Sequence, residues 1–308
     1  MIRASARWWG IVGIVVIAAC SADPGPTPTP FPSPSSTASS RPTSLPVPTA
    51  EPLQTDDGGV YLALGDSVTF GVGVPQPQRN GYPARVVDRL AGAGSTIGEA
   101  RVLAVPGETA TGFLENRIDD VEAAIDELGP RVELVTIGLG ANELLRIRRH
   151  PACVEDRASP ECQGIAAAAA EEAAAALDEV VARLRVALDA ADAEPTVLLL
   201  AYYNPDVEPI AVATIVGADG VVACDPADPA PGLNDRIACV AERREVGLVN
   251  LYAAFLGRED ELTGIGRGDV HPNAEGYRVI AEAILDALPT PTGEASSSAQ
   301  NRTGVRIG

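Results

Sequence analysis

The sequence holds only two histidines, His150 and His271, and five cysteines, no two of them in C-x-x-C spacing. Zinc centres draw on clusters of these residue types, so the scarcity weighs against a metal site. Cations are short as well, with 23 Lys and Arg against 42 Asp and Glu and a formal charge of -19. Phosphate binding needs concentrated positive charge, so nucleic acid is excluded as a partner and the acidity reads as a solvated surface. No Lys-Ser or Lys-Thr pair is present to close a P-loop. Gly71-Val72-Gly73 runs on into Val74-Pro75 and lacks the remainder of a dinucleotide fingerprint.

What is present begins with a sorting signal. Arg3 and Arg7 precede the apolar run Trp8 to Ala19, which is short for a bilayer span and has the layout of an export signal. The small residues before Cys20 resemble a bacterial lipoprotein signal, in which residues 1–19 are removed and Cys20 receives lipid. The alternative is an ordinary signal cut nearby, with Cys20 a spare thiol. Residues 20–55 are dominated by Pro, Ser and Thr, too poor in apolar groups to fold and rich enough in proline to stay extended. The chain is thus expected to be exported and held by lipidated Cys20 on the outer face of a bacterial cell membrane. Cys153, Cys162, Cys224 and Cys239 remain, and an even number in an exported chain favours two disulfides. Three pairings exist, of which the sequence-local one, Cys153 with Cys162 and Cys224 with Cys239, closes the shortest loops.

Residues 56–288 form a region of a size suited to one α/β domain, followed by a polar tail at 289–308 expected to be disordered. Short runs rich in Val, Leu and Ile predict strands at Val60 to Leu64, Arg101 to Val105, Val132 to Ile137, Thr196 to Ala201 and Gly247 to Leu251. They lack polar alternation, as strands covered on both faces do. Helical spacing predicts Phe113 to Leu128, Gly164 to Ala193, Leu233 to Glu245 and Ala274 to Ala287. The alanine-rich segment among these carries the stripe Leu177, Val180, Val181, Leu184 and Leu188, which marks a packed helix. This alternation argues for an open parallel sheet with helices on both faces and a ligand site at the carboxyl ends of its strands.

Ser67 follows the first strand in LALGDSVTFGVGV, where a glycine turn would present its hydroxyl at the top of the sheet. A nucleophilic serine needs a base with a pKa near neutrality. His150 lies in RIRRHPAC, a segment suited to a surface loop; His271 lies in GRGDVHPNAEGY, just before the last helix, and is the better partner.

LGDSVTFGVGV, AVPGETA, GLGANELL and DVHPNAEGY, in this order, resemble the four sequence blocks of the SGNH (GDSL-type) hydrolases. The resemblance spans Val60 to Leu288. It implies a flavodoxin-like three-layer α/β/α sandwich with a mostly five-stranded parallel sheet. It further implies a serine ester hydrolase without cofactor or metal. Ser67 matches the nucleophile, whose N–H also serves the oxyanion hole; Gly107 and Asn142 match its other two donors and His271 the general base. The expected substrate is a small ester, whether an acyl ester, a lysophospholipid or an O-acetylated sugar, and the expected state a monomer.

Two positions depart from the family pattern. Glu143 stands where Asp is more usual, keeping the charge and adding a methylene. Gly268 occupies the place of the acid three residues before the histidine, and Asp269, two residues before, is the nearest carboxylate. Either Asp269 orients His271 through a shifted turn or a backbone carbonyl does so in a Ser/His dyad. The gap at Gly268 also motivates an alternative, a surface-tethered carbohydrate- or lipid-binding protein that kept the fold and lost turnover.

Overall fold

A computed structural model describes residues 58–204, 221–225, 227, 228 and 230–289. The signal, Cys20 and the whole tether (all within residues 1–57), and residues 290–308 of the tail, lie outside the described residues. Five strands, β1 (Gly59–Gly65), β2 (Ile97–Ala104), β3 (Val132–Gly138), β4 (Thr196–Ala201) and β5 (Gly247–Asn250), pair in parallel in the order β2-β1-β3-β4-β5. This is the flavodoxin-like order, whose direction of winding reverses between β1 and β3. Gly65 at the end of β1 stands opposite Ala104 of β2 and Gly138 of β3. The loops after these three strands therefore leave the sheet at one level.

Side chains alternate across a strand, and here both faces are covered. Val60, Leu62 and Leu64 of β1 enter one core and Tyr61 and Ala63 the other. The helices that matter for the site are α1 (Ser67–Phe70), α2 (Tyr82–Gly92), α3 (Ala110–Asn116), α4 (Ile118–Leu128), α5 (Ala141–Ile147), α6 (Pro160–Ala190), α7 (Leu233–Arg244) and α8 (Ala274–Asp286). Helices α3, α4, α6 and α7 feed the first core, through Phe113, Ile125, Leu177, Leu184 and Ile237 among others; α2 and α8 feed the second through Tyr82, Val86, Tyr277 and Ile280. Burying one such side chain contributes about 1.5–3 kcal/mol, so the two layers fix the sheet between them.

Helix α6 starts at Pro160, four residues before the expected Gly164, because Ser159 caps it by accepting from the Cys162 N–H at 3.2 Å and proline suits the first helical position. Alanine in its first half allows a close approach. A Cβ on Gly140, in the loop after β3, would come within 3.3 Å of Leu233 and 3.6 Å of Ala173. Disulfides join Cys153 to Cys162 and Cys224 to Cys239, the sequence-local pairing.

Other elements also differ from expectation. Strand β2 begins at Ile97, not Arg101, because it lies at the sheet edge where Gly98 and Glu99 face solvent and the apolar signal fades. The expected helix Phe113 to Leu128 is two helices, α3 and α4, parted at Arg117 with φ -129° and ψ -18°. Leu114 to Ile118 is a four-residue step across the break, so apolar spacing gives no sign of it. Lastly, a two-stranded antiparallel ribbon of β6 (Thr263–Gly264) and β7 (Asp269–Pro272) precedes α8 and carries His271.

Candidate active site

Ser67 is the first residue of α1, one residue past Asp66 at the end of β1. Gly65 makes this turn possible by lacking a side chain, since a Cβ there would lie 2.6 Å from the Gly138 carbonyl and collide with Thr69. Asp66 caps the helix, its Oδ1 accepting from the Val68 N–H at 2.9 Å. Ser67 is thereby fixed at the mouth of the sheet with its hydroxyl free to turn toward the ribbon.

On the ribbon, His271 Nε2 lies 2.9 Å from Ser67 Oγ and His271 Nδ1 lies 2.6 Å from Asp269 Oδ1. The i, i+2 spacing works because β7 is extended: residues two apart on a strand share a face. Asp269 Oδ1 also accepts from the His271 N–H at 3.1 Å. Burial opposes ionisation of Asp269, but the two bonds from His271 and the neighbouring charges outweigh it and hold its pKa below the usual value. An ionised carboxylate can only accept, so Nδ1 carries the imidazole hydrogen and Nε2 offers its lone pair to the serine hydroxyl. Gly268, with φ 79°, is the left-handed turn that ends a short 3-10 segment and feeds the chain into β7.

Two further contacts hold the ribbon against the segment that carries Ser67. The Tyr203 hydroxyl donates to the Val270 carbonyl at 2.8 Å, and the Tyr277 hydroxyl to the Val72 carbonyl at 2.7 Å. Gly73, with φ 102°, sits so close that a Cβ would lie 2.5 Å from the Pro272 carbonyl and 3.2 Å from His271 Cβ. Asn273 then starts α8 by accepting from the N–H groups of Glu275 and Gly276, a cap worth about 1 kcal/mol.

Gly107 lies in the loop after β2 with φ 82° and open space around its Cα, so backbone conformation rather than room calls for glycine. Asn142 is the second residue of α5, after β3, and is buried. Its Nδ2 donates to the Glu108 carbonyl at 2.8 Å and lies 3.4 Å from Asp66 Oδ2, which ties the loops after β1, β2 and β3 together. Arg146, one turn further along α5, donates to the Gly107 carbonyl at 3.2 Å. Glu143 caps α3, its Oε1 accepting from the Ala110 N–H at 2.7 Å, and burial raises its pKa against these backbone bonds. His150 is exposed at the start of a helical turn, Pro151–Glu155, on the surface as the sequence suggests.

The profile of the GDSL-like Lipase/Acylhydrolase family matches residues 63–279. The chain belongs to this family. It is a carboxylic ester hydrolase of the GDSL/SGNH type, with the five-stranded parallel sheet of that fold. No curated protein sequence matches it. Among solved structures it is similar to LAE5, an alpha/beta hydrolase enzyme from the metagenome of Lake Arreo, Spain, at 21% identity and TM-score 0.50, covering 75% of this chain and 94% of that one. A variant of Axe2, an acetyl xylan esterase from Geobacillus stearothermophilus, gives 19% identity and TM-score 0.50 over 75% and 96%. TesA gives 21% and 0.49 over 74% and 97%. At these identities the likeness is one of fold.

Within this GDSL-like hydrolase, the residues that sequence reasoning passed over are Asp66 and Tyr202. Asp66 Oδ2 receives the Tyr202 hydroxyl at 2.8 Å, from a residue 136 positions away that directly follows β4. Burial pushes the Asp66 pKa up to about 6, against the bonds from Tyr202 and Val68. Tyr202 lies in no motif. Only the structure brings it to Asp66.

Proposed function

We propose that this protein is an extracytoplasmic serine esterase acting through a Ser67 acyl-enzyme. The observation that carries the reading is the run Asp269 Oδ1, His271 Nδ1, His271 Nε2, Ser67 Oγ, linked at 2.6 and 2.9 Å. His271 Nε2 takes the Ser67 proton as Oγ attacks the ester carbonyl carbon. The tetrahedral oxyanion is received by the N–H groups of Ser67 and Gly107 and the Asn142 amide. Collapse breaks the bond to the leaving alcohol, which departs with the proton held by His271. A water then attacks the acyl-enzyme with the same base, releasing the acid and restoring Ser67. Asp269 keeps the imidazole in the tautomer that can do this. The substrate is a small ester, in the class of acyl esters, lysophospholipids and O-acetylated sugars.

In this reading the signal-like segment exports the chain, lipid on Cys20 anchors it, and residues 20–55 hold a monomeric domain off the membrane surface. The export-type apolar run, the small residues before Cys20 and the proline-rich spacer support it. Turnover of short p-nitrophenyl esters by the purified protein tests the chemistry. Ser67→Ala and His271→Ala are each expected to lose at least about ten-thousandfold in kcat with thermal unfolding unchanged; wild-type turnover in either would contradict it. Cys20→Ala is expected to move the protein from the membrane fraction to the soluble one, and membrane association that persists would count against the anchor.

A further inference from the structure

We infer that Asp66 is a positioning residue that sets which way the Asn142 amide faces the site, and that Tyr202 holds Asp66 to that task. The inference rests on Ser67 as nucleophile and Asn142 as an oxyanion donor. An amide side chain has a carbonyl oxygen and an NH2 group of nearly equal shape, and only its partners decide which one faces where. Around Asn142 these partners are the Glu108 carbonyl at 2.8 Å and Asp66 Oδ2 at 3.4 Å. A carbonyl and an ionised carboxylate both accept only. They therefore select the orientation that presents Nδ2, whereas the reversed amide would set its own carbonyl oxygen against two acceptors. Only the selected orientation offers an N–H to a developing oxyanion.

The two bonds have different strengths, and that suits the role. At 2.8 Å the bond to Glu108 anchors one hydrogen of the amide. At 3.4 Å the contact with Asp66 is at the weak end, so it steers the second hydrogen without holding it back from the oxyanion. Asp66 itself has no freedom to turn. Its Oδ1 is bound by the Val68 N–H at 2.9 Å and its Oδ2 by the Tyr202 hydroxyl at 2.8 Å. Tyr202 is fixed at its backbone by Asn234 of α7, which accepts from the Tyr202 N–H and donates to the Tyr202 carbonyl, each at 2.7 Å. Asp66 is only 2% exposed, so it acts through Asn142 and not on the substrate.

Two substitutions isolate this role. Asp66→Asn keeps the cap on Val68, since Asn caps as well as Asp, but puts an NH2 group where Oδ2 faces the Asn142 N–H. Asp66→Ser keeps a capping oxygen and removes Oδ2. In either, kcat on a short ester is expected to fall about tenfold to a hundredfold with KM unchanged, below the cost of removing an oxyanion donor outright. The decisive reading is the cycle with Asn142→Ala. If Asp66 acts through Asn142, adding the Asp66 substitution to Asn142→Ala lowers kcat by less than about twofold. An equal loss in both backgrounds would overturn the inference, as would wild-type kcat in the single variants or failure of both to fold. Should Ser67→Ala or Asn142→Ala turn over at the wild-type rate, the serine-esterase reading falls first. With those two impaired and the cycle additive, only the positioning role falls.

Discussion

The segment leaving β1 and the β6–β7 ribbon each bring one carboxylate to the site, and the two are held in opposite ways. Asp66 is 2% exposed and burial pushes its pKa up to about 6. The Asp269 side chain is 47% exposed, and its bonds to His271 overcome a smaller burial penalty to hold its pKa low. The difference follows from the supports. Asp66 directly follows a strand buried along its whole length and bonds to groups on α1, on α5 and after β4. Asp269 sits on a four-residue strand and bonds to a residue two positions away. One carboxylate belongs to the frame of the site and costs stability when charged. The other belongs to the hydrogen-bonded run that ends at Ser67 and costs the fold little.

Replacing each carboxylate by its amide breaks the comparison at its two ends. Asp269→Asn removes the acceptor that fixes the His271 tautomer, and kcat/KM on a short ester is expected to fall about a thousandfold to ten-thousandfold. Because the side chain is half exposed, unfolding free energy in urea should stay within about 0.5 kcal/mol of wild type. A tenfold loss or less would show that a backbone carbonyl, not Asp269, orients the ring.

For Asp66 the pH dependence of stability is the sharper probe. Its folded pKa lies above the ordinary value of 3.8, so the protonated form favours the fold. That contribution is complete below about pH 4 and is lost as pH rises through about 6. Asp66→Asn cannot lose a proton. Relative to wild type the variant should therefore gain about 2 kcal/mol of stability between pH 4 and pH 7, measured by urea unfolding at both values. A difference that does not change with pH would contradict the raised pKa.

A smaller effect tests how the two regions meet. Gly73 packs where a Cβ would press on the Pro272 carbonyl and on His271 Cβ, and its φ of 102° disfavours any other residue. Gly73→Ala should displace the ribbon from Ser67 and lower kcat about tenfold, with KM little changed. Unaltered kcat would mean the ribbon yields without moving His271.

The same contrast explains what could be read from the sequence. Strands buried on both faces leave continuous apolar runs, and Val60 to Leu64, Val132 to Ile137 and Thr196 to Ala201 fall inside or match β1, β3 and β4. Edge strand β2 was legible only in its second half, because Gly98 and Glu99 in its first half face solvent and interrupt the apolar signal. The gap at Gly268 looked serious because spacing alone says nothing of backbone conformation; an extended β7 makes the i, i+2 acid as close as any. Motif residues were visible since they cluster within short blocks. The bond from Tyr202 to Asp66 was not, because it spans 136 positions and depends on strand order.

The central claim is that Ser67 is a nucleophile activated by His271. Mass spectrometry of the protein after reaction with a fluorophosphonate, followed by peptide mapping, tests it most directly. One adduct per chain on the peptide bearing Ser67, absent in His271→Ala, is the expected result. An adduct elsewhere, or equal labelling of Ser67 without His271, would contradict it.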